Sequence, residues 1–200
     1  MLFLSYSSNF VIKKTHMALT PSNPFPINTK APNFALPDSV SDKRLSLEEL
    51  KGVKGTVIFF ICNHCPFVLH VNEELVNLAN DFNQKGISFI AISSNNVAAY
   101  PQDAPKYMKT VAKELNYPFP YLYDESQEVA KAYDASCTPD FYVFDKDLES
   151  TYHGQLDDSR PGNGTPVTGK DLRKAIDALL GGNKPIEKQL PSVGCGIKWK

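Results

Sequence analysis

Cys62-Asn63-His64-Cys65-Pro66 places two thiols two residues apart in a chain of 200 residues with four cysteines. A thiolate is both a nucleophile and a metal ligand, so this spacing admits two chemistries. In thiol–disulfide exchange one sulfur attacks a disulfide, and a second, one helical turn on, attacks the mixed disulfide and releases the partner. Metal capture is the other. A structural zinc site needs about four ligands and usually a second close pair, whereas Cys137 and Cys195 stand singly far along the chain. No metal is expected, and copper or zinc held by Cys62, Cys65 and one of His64, His70 or His153 is the weaker reading.

The flanking elements favour exchange. Thr56-Val-Ile-Phe-Phe-Ile61 is an unbroken β-branched and aromatic run, suited to a strand covered on both faces. After the pair, Val71, Leu75, Leu78 and Phe82 are spaced by four, three and four, which puts them on one helical face. The thiols therefore fall at a strand-to-helix junction, where unpaired N–H groups and the positive end of the helix dipole favour thiolate. Cys62 is the better placed for exposure and is expected to attack, with Cys65 resolving. Pro66 suits the first turn, where its missing N–H costs nothing. His64, protonated or donating a hydrogen bond, would stabilise the thiolate and make the pair more oxidising.

Further elements follow the same α/β alternation. Ile87 to Ile92 reads as a second buried strand, so strand, helix and strand imply a parallel crossover. Helices are predicted over Pro105 to Leu115, with Met108, Val111 and Leu115 inward, and from an Asp124 N-cap through Tyr133. Phe141 to Phe144, a turn at Asp145-Lys-Asp147, and Glu149 to His153 form a hairpin. A last helix starts at Thr168, its hydroxyl capping and Asp171 reaching back; Leu172, Ile176 and Leu179 face inward and Gly181-Gly182 ends it. Residues 28–182 thus form one domain, after a flexible proline-rich extension over 1–27 in which Met17 is an alternative start. Residues 183–200 form a tail without periodicity, docked by Trp199.

Composition agrees with one core: 42% of residues are hydrophobic, which rules out disorder. Lys and Arg total 21 against 22 Asp and Glu, so no basic field exists to hold nucleic acid or an anionic membrane. Partners are expected to be protein or small-molecule thiols and disulfides. No apolar run approaches a bilayer span, and Lys13 and Lys14 follow the first apolar stretch rather than precede it, unlike a secretory signal. A cytoplasmic setting is expected.

Five motifs in order, Ala31-Pro-Asn-Phe-Ala-Leu-Pro-Asp38, Phe60-Ile-Cys-Asn-His-Cys-Pro-Phe67, Cys137-Thr-Pro-Asp-Phe141, Asp157-Asp-Ser-Arg-Pro-Gly162 and Cys195-Gly-Ile-Lys-Trp-Lys200, resemble the thioredoxin-like superfamily. Within it they look like the peroxiredoxin-like, redoxin (alkyl hydroperoxide reductase and thiol-specific antioxidant) group. The resemblance implies a central mixed sheet flanked by helices, no cofactor, and a cis Pro139 against the cysteine pair. Such a turn would leave the Thr138 backbone free to pair with an extended partner peptide.

The peroxiredoxin pattern itself, Pro, three residues, Thr, two residues, Cys, fails in both registers. Phe59 and Gly55 precede Cys62 at those places, and Cys62 and Ile58 precede Cys65. Dithiol–disulfide exchange is therefore favoured, with a thiol peroxidase as the alternative and a non-catalytic metal-binding or protein-binding module as the second. Thioredoxin's buried aspartate is also absent from Thr56 to Ile61, leaving His64 or water to carry the proton. Among auxiliary residues, Cys137 is either a third redox thiol or, as favoured, small apolar filling. Cys195, between two glycines on a tail, is a resolving or regulatory thiol or an ordinary exposed cysteine. Arg160 lends charge to the thiolate or, as favoured, forms a loop ion pair with Asp157 or Asp158.

Overall fold

The computed structural model describes residues 19–200. In chain order the strands and helices are β1 (Leu19–Pro21), β2 (Ala35–Pro37), β3 (Arg44–Ser46), α1 (Leu47–Leu50), β4 (Gly55–Phe60), α2 (Pro66–Asn83), β5 (Ile87–Ser93), α3 (Pro105–Glu114), β6 (Tyr121–Tyr123), α4 (Glu128–Ala132), β7 (Cys137–Thr138), β8 (Asp140–Asp145), β9 (Ser150–Gly154), α5 (Lys170–Leu180) and β10 (Val193–Gly196).

The central sheet runs β6-β5-β4-β8-β9. β4, β5 and β6 are parallel, while β8 lies antiparallel to β4 and β9 antiparallel to β8. Every residue of β4 is buried, which is why its sequence shows no polar alternation. The alternation is instead between two cores. Val57 and Phe59 join α2 (Val68, Val71, Leu75, Leu78, Phe82), α5 (Leu172, Ile176) and Met108 of α3 on one face. Ile58 and Phe60 join Phe34, Leu47, Tyr133, Tyr142 and Phe144 on the other. The predicted strands, crossover, hairpin and the α2 face are all present.

Several local expectations differ. Asp124 is not the cap residue of α4, since Gln127 holds that position at φ +65°. Asp124 nevertheless accepts the Ala130 N–H at 2.9 Å, so it does the capping from further back. Thr168 does not cap α5 either. Its N–H and hydroxyl, with the Gly169 N–H, go to the Asp157 carboxylate, the Leu156 carbonyl accepts the Asp171 and Leu172 amides, and the Asp171 carboxylate accepts from Gln155. The inward side of α3 is Met108 and Ala112, while Leu115 is exposed.

The first and last strands of the described residues are joined, which their composition conceals. β10 lies between β1 and β7, antiparallel to both, with Leu19 opposite Cys195 and Cys195 opposite Thr138. The flexible extension read over 1–27 therefore does not hold from Leu19 onward, and residues 1–18 lie outside the described residues. Ser22 N–H donates to the Ser192 carbonyl at 2.8 Å, and Phe25 packs edge-on to Tyr142 with centroids 5.2 Å apart. Short extended segments with prolines at an edge carry no periodicity to read. The tail docks through its backbone rather than through Trp199, which stays 43% exposed. Lys198 N–H donates to Asn95, and the Lys198 carbonyl accepts from Gln127 and from the Asn96 N–H. No helix among the described residues is long and apolar enough to cross a membrane.

Candidate active site

β4 ends at Phe60, and the Ile61 N–H still reaches the Ile92 carbonyl at 2.9 Å before the chain turns through the cysteine pair. The turn hands over to α2 at Pro66, with Cys65 as the N-cap; the Cys65 carbonyl accepts the Val68 and Leu69 amides. The residue at the positive end of the helix is thus Cys65 rather than Cys62. Neither thiol is exposed, Cys62 at 2% and Cys65 at 0%. The Thr138–Pro139 bond is cis, and the loop it shapes lies against both sulfurs. Cys62 Sγ is 3.6 Å from the Thr138 hydroxyl, and the Cys65 thiol reaches the Thr138 carbonyl at 3.2 Å.

A third sulfur belongs to this group. Cys195 is not on a swinging tail but 3% exposed in β10, with its Sγ 2.8 Å from that of Cys65. The glycines that suggested mobility allow close strand approach instead: a Cβ on Gly194 would stand 2.0 Å from the Thr138 carbonyl oxygen. Charge is divided unevenly among the three. Hydrogen bonds from Cys195 and then Cys62 favour the Cys65 anion over the cost of burial and push its pKa well below the ordinary thiol range. Cys62 is pushed up, first by its bond to Cys65, then by burial and by the negative charge of Asp103. Cys195 is pushed up in the same way, by Cys65 first and burial second.

Asp103 is the residue that sequence reading missed. It sits in a single 3-10 turn, Pro101–Asp103, and is fully buried. Its Oδ1 accepts the Asn63 N–H at 2.9 Å, and its Oδ2 accepts His64 Nδ1–H at 2.7 Å and the Asn95 amide at 2.9 Å. The two residues between the cysteines are therefore pinned from outside, and the His64 ring stacks on Tyr100 at 5.3 Å. Cys62 Sγ meets the same His64 Nδ1 at 3.9 Å. The expected effect of His64 on the thiolate is thus opposed by a buried carboxylate beside it. A signal was available: β4 and β5 are parallel neighbours, so the loops after them open at the same end of the sheet. Asp103 lies in the second of those loops.

Cys62, His64 and Asp103 also offer three donor atoms within 4.8 Å of one another. The carboxylate oxygen nearest His64 already accepts two hydrogen bonds, which suits an oriented imidazole better than a cation site. The other two histidines among the described residues are engaged elsewhere, His70 with the Ser159 hydroxyl at 2.7 Å and His153 with Asp140 at 3.0 Å.

The remaining sequence-selected residues fall as follows. Cys137 is fully buried beside the Pro139 carbonyl, its thiol pushed up by burial and then by Asp140. Arg160 neither reaches the pair nor forms the ion pair expected of it. Its guanidinium donates to the Asp157 and Ser159 carbonyls and to Gln155, while Asp158 pairs with Lys170. The Thr138 backbone is not free for a partner peptide, because β10 occupies that edge.

A mixed sheet whose central strand ends in a Cys-x-x-Cys turn, facing a cis-proline loop, defines a protein of thioredoxin-like fold. The chain belongs to the AhpC/TSA family, whose sequence model matches residues 27–152. Among solved structures it is similar to an uncharacterized conserved protein of Geobacillus kaustophilus, with 61% identity and a TM-score of 0.90 over 92% of this chain and 97% of that one. A hypothetical protein of Sinorhizobium meliloti is 45% identical, with a TM-score of 0.88 over 90% and 98% of the two chains. The thiol-disulfide oxidoreductase ResA of Bacillus subtilis is 27% identical over 143 residues, covering 66% of this chain and 75% of that protein. At family level the kinship is thus to redoxins and thiol-disulfide oxidoreductases.

Proposed function

We infer that the protein is a dithiol–disulfide oxidoreductase acting on protein or small-molecule thiols and disulfides, with Cys62 attacking and Cys65 resolving. The observation that carries this reading is the placement of both sulfurs at the start of α2 against the Thr138-cis-Pro139 loop. The name of the Bacillus subtilis relative supports the same class. Cys62 is the outer sulfur, next to His64, whose side chain retains 21% of its exposure. As a partner disulfide approaches, Cys62 passes its proton to Cys65, and its thiolate forms a mixed disulfide while the first partner sulfur leaves as thiolate. Cys65, after losing that proton, attacks Cys62 Sγ and expels the second. The partner gains two electrons from the pair and two protons, one that Cys62 passed to Cys65 and one from water, and the protein is left with a Cys62–Cys65 disulfide. His64, held by Asp103, positions the turn and lies where a leaving thiolate would take a proton.

Thr138 Oγ1 supports Cys62, but the Thr138 backbone edge is filled by β10, so a partner would approach from the His64 side rather than add a strand. Insulin-disulfide reduction measured beside hydroperoxide consumption separates exchange from peroxidase activity. Exchange predicts insulin turnover that Cys62→Ser abolishes, with peroxide consumed far more slowly. Peroxide turnover outpacing insulin reduction would overturn it.

A further inference from the structure

Cys195 is held against the active pair by two hydrogen-bonded ladders. β10 is flanked by β1 and β7, Cys195 is in register with Leu19 on one side and Thr138 on the other, and Ile197 N–H extends the attachment to the Ser136 carbonyl at 3.0 Å. Its side chain is buried, and its sulfur lies 2.8 Å from that of Cys65. β10 fills the edge beside the cis-proline loop, so a cysteine of this chain already stands beside the pair, where the sequence placed an incoming peptide.

We propose that Cys195 is a third redox thiol that takes over the disulfide from Cys62, forming a Cys65–Cys195 bond and returning Cys62 as a free nucleophile. This rests on the exchange reading above. The step balances without an added oxidant. The Cys195 thiolate attacks Cys65 Sγ, the Cys65–Cys195 bond forms, the Cys62–Cys65 bond breaks, and Cys62 leaves as thiolate and takes up the proton that Cys195 gave up. Oxidised and rearranged protein are isomers, so the two electrons remain with the first partner. Cys62 can then engage a second partner while the oxidising equivalent is stored between the start of α2 and β10. The segment carrying Cys195 lies beyond residues 27–152, which the family model matches.

The test is peptide mapping of the full chain after oxidation with diamide, acid quenching and alkylation. Wild type is expected to yield a peptide bearing Cys195 cross-linked to the one bearing Cys65, with Cys62 alkylated. Cys62→Ser retains that cross-link, and both Cys195→Ser and Cys195→Ala lose it while still closing Cys62–Cys65. Absence of the Cys65–Cys195 link from wild type and from Cys62→Ser, with Cys62–Cys65 formed normally in the Cys195 variants, would overturn the relay alone. Failure of the Cys195 variants to close Cys62–Cys65 would overturn the exchange reading and the relay with it.

Discussion

Cys65 gathers the negative charge of the site because two other thiols hydrogen-bond to its sulfur, and that puts the anion on the less accessible of the pair. The three thiols titrate as a unit, so the first proton leaves the group and not one residue. Thiolate absorbance of the reduced protein should therefore rise with a first midpoint below the ordinary thiol value of 9.0, and Cys195→Ala should raise that midpoint by removing the largest stabilising bond. An unchanged or lower midpoint in the variant would contradict this. Asp103 acts in the opposite sense, since its charge disfavours ionised Cys62. Asp103→Asn should stabilise the reduced thiolate form and make the Cys62/Cys65 potential less negative, while costing about 1–3 kcal/mol of stability through its disturbed hydrogen bonds. A more negative potential, measured against glutathione, would refute the assigned role.

At the scale of elements, the start of α2 and the course of β10 decide what the site can do. Gly194→Ala brings a Cβ within 2.0 Å of the Thr138 carbonyl oxygen, so β10 must lift. The expected outcome is a loss of about 1–3 kcal/mol in denaturant unfolding and faster alkylation of Cys195. Unaltered stability and alkylation would show that β10 is not seated as described. The start of α2 was legible in the sequence, because an unbroken apolar run, a Cys-x-x-Cys-Pro junction and four apolar positions at helical spacing are all local signals. β10 was not legible. Val193-Gly-Cys-Gly196 has neither alternation nor β-branched density, and it is a strand because Leu19–Pro21 and Cys137–Thr138 lie on either side of it. Asp103 escaped for a related reason: its importance comes from a loop of a neighbouring strand and leaves no trace in its own segment.

At the scale of the whole molecule, one sheet divides two cores, and much of the second is tyrosine and phenylalanine. Burial raises the pKa of Tyr121, Tyr133, Tyr142 and Tyr152 in the folded state above the ordinary value of 10.0. Their contribution is complete below pH 10, where both states keep the proton, and is lost above it, as the unfolded chain releases protons that the folded chain retains. Stability should fall above about pH 10 by about 1.4 kcal/mol per pH unit for each of these tyrosines. A flat stability curve through that range would contradict their burial. The α/β class, the parallel crossover and the hairpin were legible because they rest on long periodic runs, whereas the pairing of Leu19–Pro21 with Val193–Cys195 depends on contacts at large sequence separation. The division of labour between the cysteines is tested most directly by trapping. Incubated with a disulfide-bonded protein partner, Cys65→Ser should accumulate a mixed disulfide at Cys62, identified by peptide mass, and Cys62→Ser should accumulate none. A partner held by Cys65 in the Cys62→Ser protein, with none on Cys62 in Cys65→Ser, would reverse the assignment.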